Sequence, residues 1–436
     1  MKVLLHSIGC RLNQSEIETM ARQLLAAGHE IVTEAAAADK VIVNTCAVTA
    51  EAAGDARNLT RRFHRQNEAA EIVLTGCYAT VAPQELARVK GAGRIVANPE
   101  KDRLVQMLLP DAPGEQRVFE QEPALREFLA GSVGATRAFI KVQDGCDNHC
   151  TFCITTVARG AGQSRHLGNV VAEVQAHHAA GYQEVVLTGV HLGSYGHDLG
   201  HATGLRDLVQ AILRHTDMPR VRLSSLEPWD ITPDFFELWQ DARLLPHLHL
   251  PLQSGSDSVL RRMARRTRRA SFRALAAAAR AAIPHLNLTT DIIVGFPGET
   301  EAEFQQSLDF VREIGFSRLH VFNYSQRPGT AAATMPHQVP LETRKERSRR
   351  MIELGESLSL AFHQQYVGSA ASVLWEAAVG ADDAGLRWVG YTDNYIRVHA
   401  SGPDDLFNRI TPVHLTAAQA NGMMGQLRGW DADDAR

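Results

Sequence analysis

Residues 138–153 read AFIKVQDGCDNHCTFC: an apolar run stops at an aspartate and a glycine, and three cysteines follow at Cys146, Cys150 and Cys153. The run has the length and composition of a strand. Five further strand-like runs come after it, EVVLT (184–188), VRLSS (221–225), HLHLPL (247–252), LTTDIIVG (288–295) and RLHVFNY (318–324). Amphipathic stretches such as TEAEFQQSLDFVREIG (300–315) separate them. Six β/α units predict a parallel barrel, and a partial (β/α)6 one, because a closed barrel of this type takes about eight strands. Its reactive edge lies at the carboxyl ends of the strands, where the cysteines stand.

The same rhythm precedes it. VLL (3–5), VIVN (41–44) and IVLT (72–75) lead to Cys10, Cys46 and Cys77, and RIVA (94–97) forms a fourth run. Helical patterns lie between; an S-x-x-E box at Ser15–Glu18 predicts the start of the first helix, and Gly28 its stop. In an open parallel sheet, ligands bind beyond the carboxyl ends, so three cysteines far apart in sequence converge there. A polar, Pro/Gly-punctuated linker spans 110–131. Residues 341–367 read as a charged helix, after which the period shifts toward two in VLWEAAV, LRWVGYTD and YIRVHA. The predicted fold is α/β: an open parallel sheet domain (1–115), a partial barrel (130–365) and a small C-terminal antiparallel β-barrel (366–432).

Composition sets the outer bounds. At 436 residues, 44% hydrophobic and 22% charged, the chain is long enough for several cored domains. A formal charge of −4 excludes a globally basic nucleic-acid binder, so any such binding rests on local patches. No run of about 18 apolar residues and no secretory leader pattern occurs, which predicts a cytoplasmic protein without a membrane partner. Six cysteines are too sparse for a secreted disulfide scaffold; clustered thiols in a reducing compartment hold metal or do chemistry.

Three close thiols leave two metal chemistries open. Zinc takes four ligands, but no second C-x-x-C or H-x-x-x-H pair follows at finger-like spacing, and His149, the remaining candidate, adjoins Cys150. A cubane iron-sulfur cluster held by three thiolates keeps one iron open to a further ligand. For Cys10, Cys46 and Cys77 the alternative to ligation is ordinary buried packing.

The spacing C-x-x-x-C-x-x-C after a first barrel strand resembles the radical S-adenosylmethionine superfamily. The likeness extends along the chain: NTCAVT (44–49), TGCYA (75–79), LTGVHLGSYG (187–196), SSLEPWDIT (224–232), LHLPLQSGSD (248–257), TDIIVGFPGET (290–300) and YSQRPGT (324–330) are similar to motifs of its methylthiotransferases. A proline common in that family soon after the third cysteine is replaced here by Ile154-Thr155-Thr156-Val157. The resemblance implies two 4Fe-4S clusters, an auxiliary one on Cys10, Cys46 and Cys77 and one on Cys146, Cys150 and Cys153 that cleaves S-adenosylmethionine. It also implies an electron donor such as flavodoxin or ferredoxin, and a sulfur donor that the sequence does not identify. Glu227, Gln253, Ser254, Asp291 and Gly295 stand at strand ends suited to the cofactor, or else serve as loop caps and turns.

Known classes of the family act on isopentenyl- or threonylcarbamoyl-adenosine beside the tRNA anticodon, or on a ribosomal-protein aspartate. GCRLNQSE (9–16), NTCAVT and VFNYSQRPGTAAATMP (321–336) are more similar to the threonylcarbamoyl-adenosine class, which implies a tRNA partner. A rival of another kind is a non-catalytic iron-sulfur RNA sensor. Arg57, Arg61, Arg62 and Arg65 recur at helical spacing, and Arg265, Arg266, Arg268 and Arg269 fall in RRMARRTRRASFR (261–273). Such clusters either track phosphates or form a solvated helix face. The C-terminal segment resembles an RNA-binding TRAM domain in place and size, yet from Tyr366 onward acids outnumber basic residues nine to five. Stacking by Trp375, Trp388, Tyr391 and Tyr395 would have to compensate, unless these rings form the core.

Overall fold

The computed structural model describes residues 1–109, 136–200, 203–382 and 385–427. The expected linker and the domain edges at 115, 130 and 432 fall outside these residues. The chain forms two compact units, one of Met1–Gly181, Leu187–Thr216 and Ser325–Thr334, the other of Tyr182–Val186, Asp217–Tyr324 and Met335–Arg436.

The first unit begins β1 (Lys2–Ser7), α1 (Arg11–Ala26), β2 (Glu30–Val32), β3 (Lys40–Thr45), α2 (Ala50–Gln66), β4 (Glu71–Gly76), α3 (Cys77–Val81), α4 (Pro83–Ala87), β5 (Ile95–Val96), α5 (Asn98–Lys101) and α6 (Leu104–Leu108). The strands pair in parallel in the order β2-β1-β3-β4-β5, with Val3 opposite Lys40 and Val41 opposite Ile72. Val41, Ile42 and Val43 are fully buried because helices cover both faces. Ile42 packs with Ile17, Met20 and Leu24 of α1, while Val41 and Val43 pack with Ala53, Ala56 and Phe63 of α2. The first helix starts at Arg11, not at the Ser15–Glu18 box. Ser15 and Glu18 are buried within it, so neither is placed to cap an end.

Continuing this unit are β6 (Arg137–Lys141), β7 (Gln143–Asp144), α7 (Thr155–Arg159), β8 (Gln163–Ser164) and α8 (Leu167–Ala179). β9 (Glu184–Thr188) ends within it, where the Val142 N–H donates to the Thr188 carbonyl (2.9 Å), and α9 (Leu205–His215) follows.

The second unit carries β10 (Arg220–Leu223), β11 (His247–His249), α10 (Asp257–Arg262), α11 (Arg269–Ala282), β12 (Asn287–Val294), α12 (Glu301–Ile314), β13 (Arg318–Asn323) and α13 (Leu341–Gln364). β11, β12 and β13 form a parallel sheet, and bridges Val221–Leu244 and Ser225–His249 bring β10 alongside. All six strands read from the sequence are therefore present. Then come β14 (Ala370–Asp382), β15 (Gly385–Thr392), β16 (Arg397–Gly402), β17 (Ile410–Gln419) and β18 (Gly422–Leu427). They close a five-stranded barrel in the order β14-β15-β16-β18-β17, antiparallel at every pair but β16–β18. Trp375 and Trp388 fill its core, their indole N–H groups donating to Thr411 Oγ1 (2.7 Å) and the Pro403 carbonyl (2.9 Å). These two rings are thus packing, not a base-stacking platform. Tyr395 stacks on Tyr391 at 4.9 Å and lies 4.3 Å beneath the Arg222 guanidinium, itself paired with buried Glu184 (2.7 Å).

α12 shows how such helices are pinned. The Thr300 hydroxyl caps the Glu303 N–H (3.2 Å) and Glu303 returns a bond to the Thr300 N–H (2.9 Å), the reciprocal capping box. Burial alone would raise the Glu303 carboxyl, but Arg262, Ser258 and the Thr300 N–H outweigh it and hold it at about 2, against 4.5 unperturbed. A depressed carboxyl stabilises the fold above its unfolded value and loses that contribution as pH falls through its folded one. Thermal midpoints of wild type and Glu303→Gln should therefore differ most above pH 4.5 and converge as the pH falls toward about 2; a gap independent of pH would contradict this.

Candidate functional site

Three cysteines stand at the carboxyl ends of three neighbouring strands of the first unit. Cys10 is the N-cap of α1, Cys46 follows β3 and Cys77 opens α3 after β4. Their loops touch. Gly9 has φ +98°, and a Cβ there would lie 2.6 Å from Cys46 Cβ and 2.8 Å from its Sγ, so only glycine lets the Cys10 loop approach. Each thiol has a polar neighbour: Asn13 Oδ1 at 3.7 Å from Cys10 Sγ, the Val48 N–H at 3.5 Å from Cys46 Sγ, and Asn98 Nδ2 at 3.6 Å from Cys77 Sγ. Burial, with the nearby Cys10 and Cys77 thiols adding to it, pushes Cys46 up to about 11. Burial raises the Cys10 thiol as well, and thiols so placed become thiolates only where positive charge holds them.

The second trio lies in the loop after β7. The Cys146 N–H donates to the Gly160 carbonyl (3.0 Å) and the Cys153 N–H to the Cys150 carbonyl (3.0 Å). Backbone N–H groups donate to sulfur here, Asn148 to Cys146 and Thr155 to Cys153, both at 3.4 Å. Gly145 (φ +70°) is required at the turn, since a Cβ would overlap the Ala161 carbonyl. Gln143 clamps the loop's base, donating to the Asp144 and Gly145 carbonyls (2.9 Å each) and accepting the His191 N–H (2.8 Å). The proline-free stretch after Cys153 becomes α7, and His149 is exposed. Among the described residues no three His, Cys, Asp or Glu side chains could hold a single metal ion. A cubane binds each thiolate to a different iron, so two sets of three thiols, with N–H donors on Cys46, Cys77, Cys146 and Cys153, fit iron-sulfur chemistry better than zinc.

Sequence reasoning missed the charge network on which both loops rest. Glu16, buried in α1, meets Lys101 Nζ (2.6 Å), Arg159 Nη1 (2.9 Å) and Lys141 Nζ (3.3 Å) and accepts from Asn44 Nδ2 (2.8 Å). Arg159 also pairs with Asp144 (2.9 Å) and donates to Asn13 Oδ1 (2.9 Å). Burial would raise the Glu16 carboxyl, yet Arg159, Lys101 and Lys141 hold it well below the usual carboxylate range. Burial likewise opposes the Arg159 charge, but Glu16, Asp144 and the Cys77 thiol keep it well above the usual arginine value. Arg159 is within electrostatic reach of Cys10, Cys46 and Cys77.

The other candidates fare differently. In the second unit Glu227 is taken by Arg265, which forks onto both its oxygens (2.9 and 2.5 Å) and stacks on Trp229 at 4.4 Å. Arg265 is 3% exposed, so it presents no face to a phosphate. Ser254 is buried against Ser307 (3.2 Å). Gln253 holds φ +69° and its backbone bonds Asp291 and Ile293. Burial would raise the Asp291 carboxyl, but His249 Nε2 at 3.3 Å lowers it below its ordinary value. Gly295 backs onto Arg344 and donates its N–H to Glu299 (2.7 Å). Arg266 and Arg268 are exposed, and Arg269 stacks on Phe310 at 5.0 Å. On α2, Arg61, Arg62 and Arg65 are exposed, whereas Arg57 is held by Glu85 (2.8 Å) and the Tyr78 hydroxyl (2.6 Å).

The chain is similar to known proteins along nearly its whole length. Residues 140–311 match the family model described as the Radical SAM superfamily, and residues 2–97 that of the Uncharacterized protein family UPF0004. The chain is 36% identical over 430 residues to the threonylcarbamoyladenosine tRNA methylthiotransferase MtaB of Bacillus subtilis, covering 95% of this chain and 94% of that one. It is 37% identical to the protein of the same name from Thermotoga maritima (94% and 93% covered). It is 34% identical to a tRNA-2-methylthio-N(6)-dimethylallyladenosine synthase of Novosphingobium aromaticivorans (97% and 96%). Among solved structures, the radical S-adenosylmethionine methyltransferase TsrM of Kitasatospora setae shares the fold, with TM-score 0.57 at 18% identity over 76% of this chain and 77% of that one.

Glu16→Ala would leave Lys101, Lys141 and Arg159 buried with one carboxylate among them. Breaking a buried pair of this kind costs about 3–5 kcal/mol, and urea denaturation of the variant should show that loss as a lower midpoint at unchanged slope. A loss below about 1 kcal/mol would mean that the network does not organise the unit.

Proposed function

The chain belongs to the radical S-adenosylmethionine methylthiotransferases, and from that membership we propose that it methylthiolates N6-threonylcarbamoyladenosine beside the tRNA anticodon. The observation that carries the reading is the pair of thiol trios within one compact unit of a chain similar along nearly its whole length to two enzymes named for that substrate. Family membership implies S-adenosylmethionine and a 4Fe-4S cluster; in this reading Cys146, Cys150 and Cys153 hold that cluster, and Cys10, Cys46 and Cys77 hold a second. When bound, the clusters supply the electron that cleaves S-adenosylmethionine and the site at which sulfur is carried to the substrate.

The protein's own part is electrostatic and positional. Arg159 lowers the cost of thiolates at Cys10 and Cys46, while Asn13 and Asn98 orient donors and acceptors on Cys10 and Cys77. Gln143 and Asp144 fix the turn from which Cys146 departs. Gln253, Ser254, Asp291 and Gly295 are the residues proposed to bind S-adenosylmethionine, with Glu227 acting through Arg265. Exposed Arg61, Arg62 and Arg65 suit phosphates of the RNA. A flavodoxin- or ferredoxin-like protein is the proposed electron donor.

The second reading, action on a dimethylallyl-modified adenosine, is favoured by the 34% identical relative. Nucleoside mass spectrometry of tRNA from cells lacking the gene separates the two. Loss of 2-methylthio-N6-threonylcarbamoyladenosine with the dimethylallyl product intact is expected; the reverse pattern would establish the second reading. Cys46→Ala should still yield 5'-deoxyadenosine from S-adenosylmethionine under reducing conditions but no methylthiolated nucleoside, whereas Cys150→Ala should yield neither.

A further inference from the structure

Segment 325–334 belongs to the first unit and is tied to both cysteine loops. At one end the Ser325 hydroxyl accepts the Ala50 N–H (3.1 Å), four residues past Cys46. At the other the Ala332 N–H donates to the Thr151 carbonyl (2.8 Å), between Cys150 and Cys153, and a Cβ on Gly329 would lie 4.0 Å from Ile154. Arg327 lies between these anchors. Its Nε and Nη2, the two parallel donors on one edge of the guanidinium, are buried and meet no hydrogen-bond acceptor among the described residues. Glu85, the acid within electrostatic reach, is already engaged by Arg57 (2.8 Å). Cys46 and Tyr78 also lie within its electrostatic reach, as does the like-charged Arg57, which places Arg327 near the first thiol trio.

A desolvated guanidinium edge without a partner is costly, and its fixed fork matches two oxygens of one carboxylate or phosphate. Resting on the function proposed above, we propose that Arg327 is an anion-binding residue of the RNA site, its Nε/Nη2 edge taking an oxygen pair from the substrate. Two groups offer that chemistry near the modified base: the free carboxylate of the threonylcarbamoyl substituent and a phosphate of the adjoining backbone. The dimethylallyl substituent has no charge to offer, so the first source would also make Arg327 a determinant of substrate choice. The edge is enclosed, so entry of the anion requires a local shift around it.

The test measures binding of anticodon stem-loop RNAs to full-length, anaerobically reconstituted protein by fluorescence anisotropy. Three loops are compared, carrying threonylcarbamoyl-adenosine, its neutral methyl ester, or unmodified adenosine, against wild type, Arg327→Gln and Arg327→Lys matched for iron content and thermal midpoint. Loss of a paired, charge-assisted bond should weaken binding about tenfold or more in Arg327→Gln, with Arg327→Lys between it and wild type. A loss confined to the free-acid loop, together with discrimination of acid from ester by wild type, identifies the carboxylate. An equal loss on all three loops identifies the phosphate. Unchanged affinities in Arg327→Gln overturn the proposal. The acid-to-ester comparison uses wild type alone and so survives a variant that fails to fold. Wild type that binds all three loops alike while Arg327→Gln weakens them all counts against the threonylcarbamoyl substrate and not against the anion site.

Discussion

The Glu16 carboxylate, out of water and surrounded by Lys101, Lys141 and Arg159, is the constraint on which the first unit turns. These four charges come from α1, α5, β6 and α7, elements spread over more than a hundred residues of chain. None is tolerable alone in such surroundings, so the network is satisfied only when all four elements are in place. The register it sets is the register of the thiols. α1 starts at Cys10, β6 leads into the Cys146 loop, and α7 follows Cys153 and ends at Arg159. The Arg159 guanidinium lies within electrostatic reach of Cys46 and Cys77, and burial resists conversion of the Cys46 thiol to a thiolate.

What could be read from the sequence was what local pattern carries. Each of the first three cysteines follows a short β run, and parallel strands in the order β1-β3-β4 bring those ends together. The C-x-x-x-C-x-x-C loop needs only the residues between Gly145 and Cys153. The six barrel strands and α13 were legible from period and composition.

Pairing across the chain was not legible. Glu16 lies inside a stretch that also fits a capping box, and nothing local marks it as the partner of a lysine 85 residues away. Arg265 sits in a run of arginines that looks like a phosphate clamp, but its partner Glu227 is 38 residues upstream and holds it indoors. Arg159 carries no local signal either, because its role depends on Asn13 and Glu16 from the first helix. In the C-terminal barrel the tryptophans were ambiguous between core and platform until their N–H groups were seen to be satisfied inside.

The function proposed for this chain requires two clusters, one on each set of three thiols, each with an open iron position. Mössbauer quantitation of the anaerobically reconstituted wild-type protein tests this most directly. It should find about eight irons per chain, all in 4Fe-4S clusters, with one cluster's spectrum changing on addition of S-adenosylmethionine. Saturation at about four irons, or two clusters both indifferent to S-adenosylmethionine, would contradict it.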